Sequence, residues 1–97
     1  MSIIDTYITK GVNCNIPDFI INFIFKMVDK ISKDDLDYLQ IFKIEKTPDM
    51  GVLIEHKQEQ PEFEKVYFLL NDEIKFQGKL YLVIENNYKI LMLAEEY

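Results

Sequence analysis

The hydrophobic pattern of this chain changes period once and then changes back. Over residues 3–12 one phase holds Thr6, Ile8, Lys10 and Val12, and the other holds Tyr7, Thr9 and Gly11. Alternation with period two predicts a strand. Asn13, Cys14 and Asn15 then read as a turn. Over residues 16–33 the polar positions Asp18, Asn22, Lys26, Asp29 and Lys33 recur at three- and four-residue steps, so the segment is helical. Asn15 suits an N-cap, Pro17 fits the first turn, Asp18 complements the positive end of the dipole, and Lys30 and Lys33 the negative end.

That helix has an unusually wide apolar surface: Phe19, Ile20, Ile21, Phe23, Ile24, Phe25, Met27, Val28 and Ile31. A helix resting on one sheet needs only a narrower stripe. Cover on more than one side is expected, from a curved sheet or from a second copy. Asp34, Asp35, Leu36 and Asp37 make the exit turn, and period two returns in strands at 38–46, 51–58, 62–70, 75–85 and 88–95. Thr47, Pro48, Asp49 and Met50 carry turn chemistry, and Asn86-Asn87 marks a two-residue hairpin. The reading is one α+β domain spanning 1–97 in the order β-α-β-β-β-β-β. Its antiparallel sheet of five or six strands is largely a meander, with one helix on one face.

Register follows from matching faces, because a slip of one residue swaps them. Ile44 is set opposite Ile54, and Ile54 opposite Val66, with Val52 beside Phe68. Lys43, Glu55 and Lys65 then line up across three strands with alternating charge. In the last hairpin Leu82 faces Leu91 and Leu80 faces Leu93. On its other side Val83 meets Ile90 and Tyr81 meets Met92. Both faces of that ribbon are apolar, a second sign of a covering surface.

The same register sets Phe42, His56 and Glu64 abreast, with Gln40 opposite Gln58 and Glu62 beside them. One sheet face thus runs from apolar to polar, as at the mouth of a pocket or the rim of an interface. Gln40, Phe42, His56, Gln58 and Glu64 are the candidate ligand-binding residues. The plain alternative is a histidine paired with a glutamate at a solvated sheet edge.

Composition narrows the chemistry. The sequence has one histidine, one cysteine, no arginine and no tryptophan, and its net charge is −6. Without arginine or a basic stripe, nucleic-acid binding is disfavoured. The acidity serves solubility or meets a basic partner. His56 lacks a nucleophile at a telling position. A Cys14–His56 pair is weighed against a plain small buried thiol, which the lone cysteine fits better. Asp34, Asp35 and Asp37 lack the glycine and distal glutamate of a calcium loop. No catalytic set, metal site or cofactor is assigned, and the balance leans away from an enzyme. The start of the chain lacks a signal-peptide pattern, and no run reaches the ~20 apolar residues of a membrane span. A cytoplasmic location is expected.

Several stretches also occur together in a known family. They are residues 7–12, Ile16-Pro17 opening the helix, 37–42, 56–61, and the ending Leu91-Met92-Leu93-Ala94-Glu95-Glu96-Tyr97. The chain resembles the domain-of-unknown-function family 960, small proteins of low-GC Gram-positive bacteria. The resemblance runs from about Tyr7 to the end. It implies a small cytosolic bacterial domain and transfers no site residue. The leading functional expectation is a non-enzymatic interaction domain acting as a homodimer. The alternative is a small-ligand-binding domain with its pocket between the curved sheet and the helix.

Overall fold

The computed structural model describes residues 5–48, 51–70 and 74–97. Residues 3 and 4 of the expected first strand, and Asp49 and Met50 of the expected loop, lie outside them. The first strand, β1 (Asp5–Ile8), stops well before Val12. Thr9 ends it by accepting a hydrogen bond from the Val12 N–H on Oγ1 (3.3 Å), the N-cap of a short helix, α1 (Lys10–Asn15). The turn expected at residues 13–15 is the last part of that helix. Asn15 closes it, its Nδ2 donating to the Gly11 carbonyl at 2.8 Å, and does not cap the next one.

The main helix, α2 (Asp18–Asp29), has Pro17 at its N-cap with no side-chain cap, and is shorter than the pattern suggested. Ile20, Ile21, Ile24 and Val28 are buried. Phe23 and Phe25 pack against the core at its margin. Phe23 meets Tyr67 edge-on at 5.2 Å. The wide apolar surface is therefore covered largely by the chain's own sheet, and only Phe19 remains substantially exposed, at 41%. A 3₁₀ turn, Lys33–Asp35, follows.

The remaining strands are β2 (Leu39–Lys46), β3 (Gly51–Glu59), β4 (Glu62–Leu70), β5 (Gly78–Ile84) and β6 (Tyr88–Leu93). They form one six-stranded sheet in the order β1-β6-β5-β2-β3-β4. Two expectations need correction here. The sheet is mixed, because β1 runs parallel to β6. The meander holds for β2 to β4 and for β5 to β6, but β5 pairs with β2 and not with β4. Placing β5 beside β2 buries Leu80 and Leu82 next to Phe42, beneath the helices, whereas an edge position would leave the two-faced ribbon in water.

Register is as expected between β2 and β3, with Ile44 opposite Ile54 and Lys43 opposite Glu55. The last hairpin also matches, pairing Leu82 with Leu91 and Tyr81 with Met92. Between β3 and β4 it is one residue off: Glu59 faces Glu62 across Gln60-Pro61, so Ile54 faces Tyr67 and Glu55 faces Val66. The slip turns Phe63, Lys65, Tyr67 and Leu69 toward the helices, and Glu64, Val66, Phe68 and Leu70 away. Val52 lies beside Leu69, and Lys65 beside His56.

Candidate functional site

Gln40 and Gln58 meet one step beyond the Phe42–His56 pair, beside the exit turn of α2. The turn supplies backbone groups that fix both amides. Gln58 Nε2 donates to the carbonyls of Asp35 (2.5 Å) and Pro61 (2.8 Å). Its Oε1 therefore accepts, from the Asp37 N–H (3.1 Å) and from Gln40 Nε2 (2.7 Å). Gln40 Nε2 also donates to the Asp37 carbonyl at 2.9 Å, which leaves Oε1 as its acceptor. That oxygen lies 2.7 Å from His56 Nε2. Amide orientation is thus settled from the backbone outward.

Gln40, His56 and Gln58 are all buried, at 0%, 1% and 2% exposure. They form an interior polar network in the sheet, and His56 also borders a cleft on the helix side. Phe42 stacks on the His56 ring at 4.2 Å with a 17° tilt, and Phe63 meets it edge-on at 5.0 Å. Burial, helped by the Lys65 ammonium, pulls the imidazole pKa down to about 4, so the ring is neutral near pH 7. Since Gln40 Oε1 can only accept, His56 carries its proton on Nε2, and Nδ1 presents a lone pair. Nδ1 makes no hydrogen bond with the described residues. No fully buried side-chain nitrogen or oxygen among them lacks a partner. By elimination Nδ1 keeps a small accessible area, within the 1% exposure of the residue.

The cleft measures about 510 Å³ and lies between the end of α2 and β4, and His56 lines it together with Met27, Ile31, Phe63 and Tyr67. Lys30, Asp35, Glu62 and Lys65 stand around it. Glu64 is not part of this arrangement. The shifted register puts it opposite Lys57 on the other side of the sheet, in an ion pair at 3.9 Å. The same slip brings in Phe63, which the sequence pattern missed because both phases of β4 mix apolar and charged residues.

Cys14 lies exposed on α1, not in a buried position, whereas His56 is enclosed in the sheet. Two of the three aspartates considered for metal are engaged in turn hydrogen bonds. Asp35 accepts from Ser32 Oγ at 3.0 Å, and Asp37 from the Gln60 N–H at 3.2 Å. Among the described residues no group of three or more His, Cys, Asp or Glu side chains is placed to hold a metal ion. No helix among them is long and apolar enough to cross a membrane.

The sheet face turned away from the helices is the second notable surface. Tyr7, Ile90, Val83 and Leu39 form one row across four strands. Met92, Tyr81 and Ile41 form the next. Tyr97 folds against Tyr81 at 5.0 Å, and Tyr7 against Tyr88 at 5.9 Å. On β4, Val66, Phe68 and Leu70 are exposed on the same face. Between the two apolar areas Lys79 and Lys43 stand side by side next to Glu55, Lys57 stands beside Glu64, and Glu59 and Glu62 lie at a corner.

Over residues 5–96 the sequence matches a family described as Staphylococcal protein of unknown function (DUF960). No curated protein matches it. Among solved structures it is similar to the crystal structure of a protein of unknown function from Enterococcus faecalis, with 19% identity and a TM-score of 0.77. The likeness covers 96% of this chain and 90% of the other. At that identity the match shows a shared fold and nothing of activity.

Proposed function

The chain belongs to the DUF960 family, and from that starting point we propose that it is a non-enzymatic interaction domain that pairs with a second copy through the open face of its sheet. The observation that carries this reading is the row Tyr7–Ile90–Val83–Leu39, continued by Met92, Tyr81 and Ile41, on the side away from α2. The main helix adds nothing to this surface, since β4 and the rest of the sheet cover most of it.

A second copy suits the face for two reasons. The molecule measures 40 by 27 Å along its longest axes, enough for the roughly 800 Å² per partner of a standard interface. Two sheets packed face to face would lie ~10 Å apart, the spacing of a sandwich core. The charged band is also self-complementary. A two-fold axis lets Lys43, Lys57 and Lys79 of one copy approach the acidic corner of the other. A strongly basic partner would gain less here, because lysines are interleaved with the acids.

Sedimentation equilibrium tests the reading. The wild-type chain is expected to be dimeric at micromolar concentration, Ile90→Lys monomeric and folded, and Phe19→Ser, on the helix side, still dimeric. A monomeric wild type, or a dimer that survives Ile90→Lys, overturns it.

A further inference from the structure

We propose that the cleft between the end of α2 and β4 binds a small, uncharged planar molecule that donates one hydroxyl or N–H group to Nδ1 of His56. The site faces the helix side of the sheet, so it stands or falls apart from pairing through the open face.

Three features point to this ligand class. The first is polarity. The chain of bonds from the Asp35 and Pro61 carbonyls through Gln58 and Gln40 leaves Nδ1 as an acceptor only. A carboxylate or phosphate would set its own lone pairs against that of Nδ1. An apolar molecule without a donor would displace water from Nδ1 and leave it unpaired, which is unfavourable. A neutral donor satisfies it.

The second is the wall. Met27, Ile31, Phe63 and Tyr67 supply aliphatic, thioether and aromatic surface, suited to a flat ring. A volume of about 510 Å³ is ample for one small molecule. The third is the surrounding charge. Lys30 and Lys65 are offset by Asp35 and Glu62, so neither sign of ligand is drawn in.

His56 is the only histidine, so its two ring nitrogens report the site without ambiguity in ¹⁵N-labelled protein. Phenol, anisole and benzoate are titrated in turn. Phenol is expected to saturate and to move the Nδ1 resonance more than the Nε2 resonance. Anisole, whose donor is blocked, and benzoate are expected to bind at least about tenfold more weakly, a difference of ~1.4 kcal/mol. Met27→Lys, which places a charged chain in the cleft from the helix surface, should abolish the phenol response while far-ultraviolet circular dichroism is retained. Should that variant fail to fold, the comparison of the three probes on the wild-type chain still decides. The proposal is overturned by the absence of a saturable phenol response, by equal binding of anisole, by preferred binding of benzoate, or by a phenol response that persists in folded Met27→Lys protein.

Discussion

Gln40 decides which nitrogen of His56 carries the proton. Its amide nitrogen is committed to the Asp37 carbonyl and to Gln58, so only its oxygen is left to face His56 Nε2, at 2.7 Å. A neutral imidazole can satisfy that oxygen in one tautomer only. The consequence reaches through the sheet to the cleft, where the other ring nitrogen is presented as an acceptor.

Gln40→Leu removes the link at its centre. His56 Nε2–H loses its acceptor and Gln58 Oε1 loses a donor, both in the interior. A destabilisation of about 2–3 kcal/mol is expected in urea unfolding. The imidazole ¹⁵N resonances should also move toward a mixture of tautomers. Unchanged resonances in the folded variant would show that Gln40 does not set the tautomer.

The network makes stability depend on pH in a defined window. The folded-state pKa of His56 is about 4 and the ordinary value is 6.5, so the unfolded chain takes up the proton first on acidification. The stabilisation from keeping the ring neutral is complete above about 6.5 and is lost as pH falls toward 4, on the order of 3 kcal/mol in total. Urea midpoints at pH 7 and pH 5 measure most of it. His56→Phe is expected to be less stable at pH 7 and to show a flatter dependence across that interval. Equal slopes for the two proteins would contradict the assignment.

Lys89 points inward from β6, and its ammonium meets the Asp29 carboxylate at the end of α2 at 2.5 Å. The lysine side chain is 9% exposed and the aspartate 63%. Removing the two partners should therefore differ in effect. Asp29→Ala strands a nearly buried cation and is expected to cost about 1–3 kcal/mol. Lys89→Met returns an exposed carboxylate to water and should cost less than about 1 kcal/mol, with the double variant close to it. Thermal unfolding of the three proteins checks the order.

Thr9 joins the two ends of the chain. Its hydroxyl caps α1 and donates to Glu96 Oε1 at 2.6 Å, and the same oxygen accepts from the Leu93 N–H at 2.8 Å. These bonds, that from Thr9 first, hold the Glu96 carboxyl below its usual pKa. Thr9→Val should cost about 1 kcal/mol and raise amide exchange within α1, while Thr9→Ser largely preserves both. Protection in β3 should be unaffected.

The sequence by itself determined what local periodicity and short turns control. The main helix, the later strands, the β2–β3 pairing and the Asn86-Asn87 hairpin were all legible, and with them the juxtaposition of Gln40 with Gln58 and Phe42 with His56. Each of these depends on neighbours close in the chain. Tertiary structure decided the rest. The parallel pairing of β1 with β6 and the antiparallel pairing of β5 with β2 rest on contacts between distant segments that no local pattern encodes. The register of β4 was undetermined because either phase offers comparable apolar surface. The two-residue turn at Gln60-Pro61 sets the register, which brings Phe63 against His56 and Tyr67 against Phe23 of α2. That choice moved Glu64 out of the candidate site and brought Phe63 onto the His56 ring. It also left one nitrogen of His56 open to the cleft.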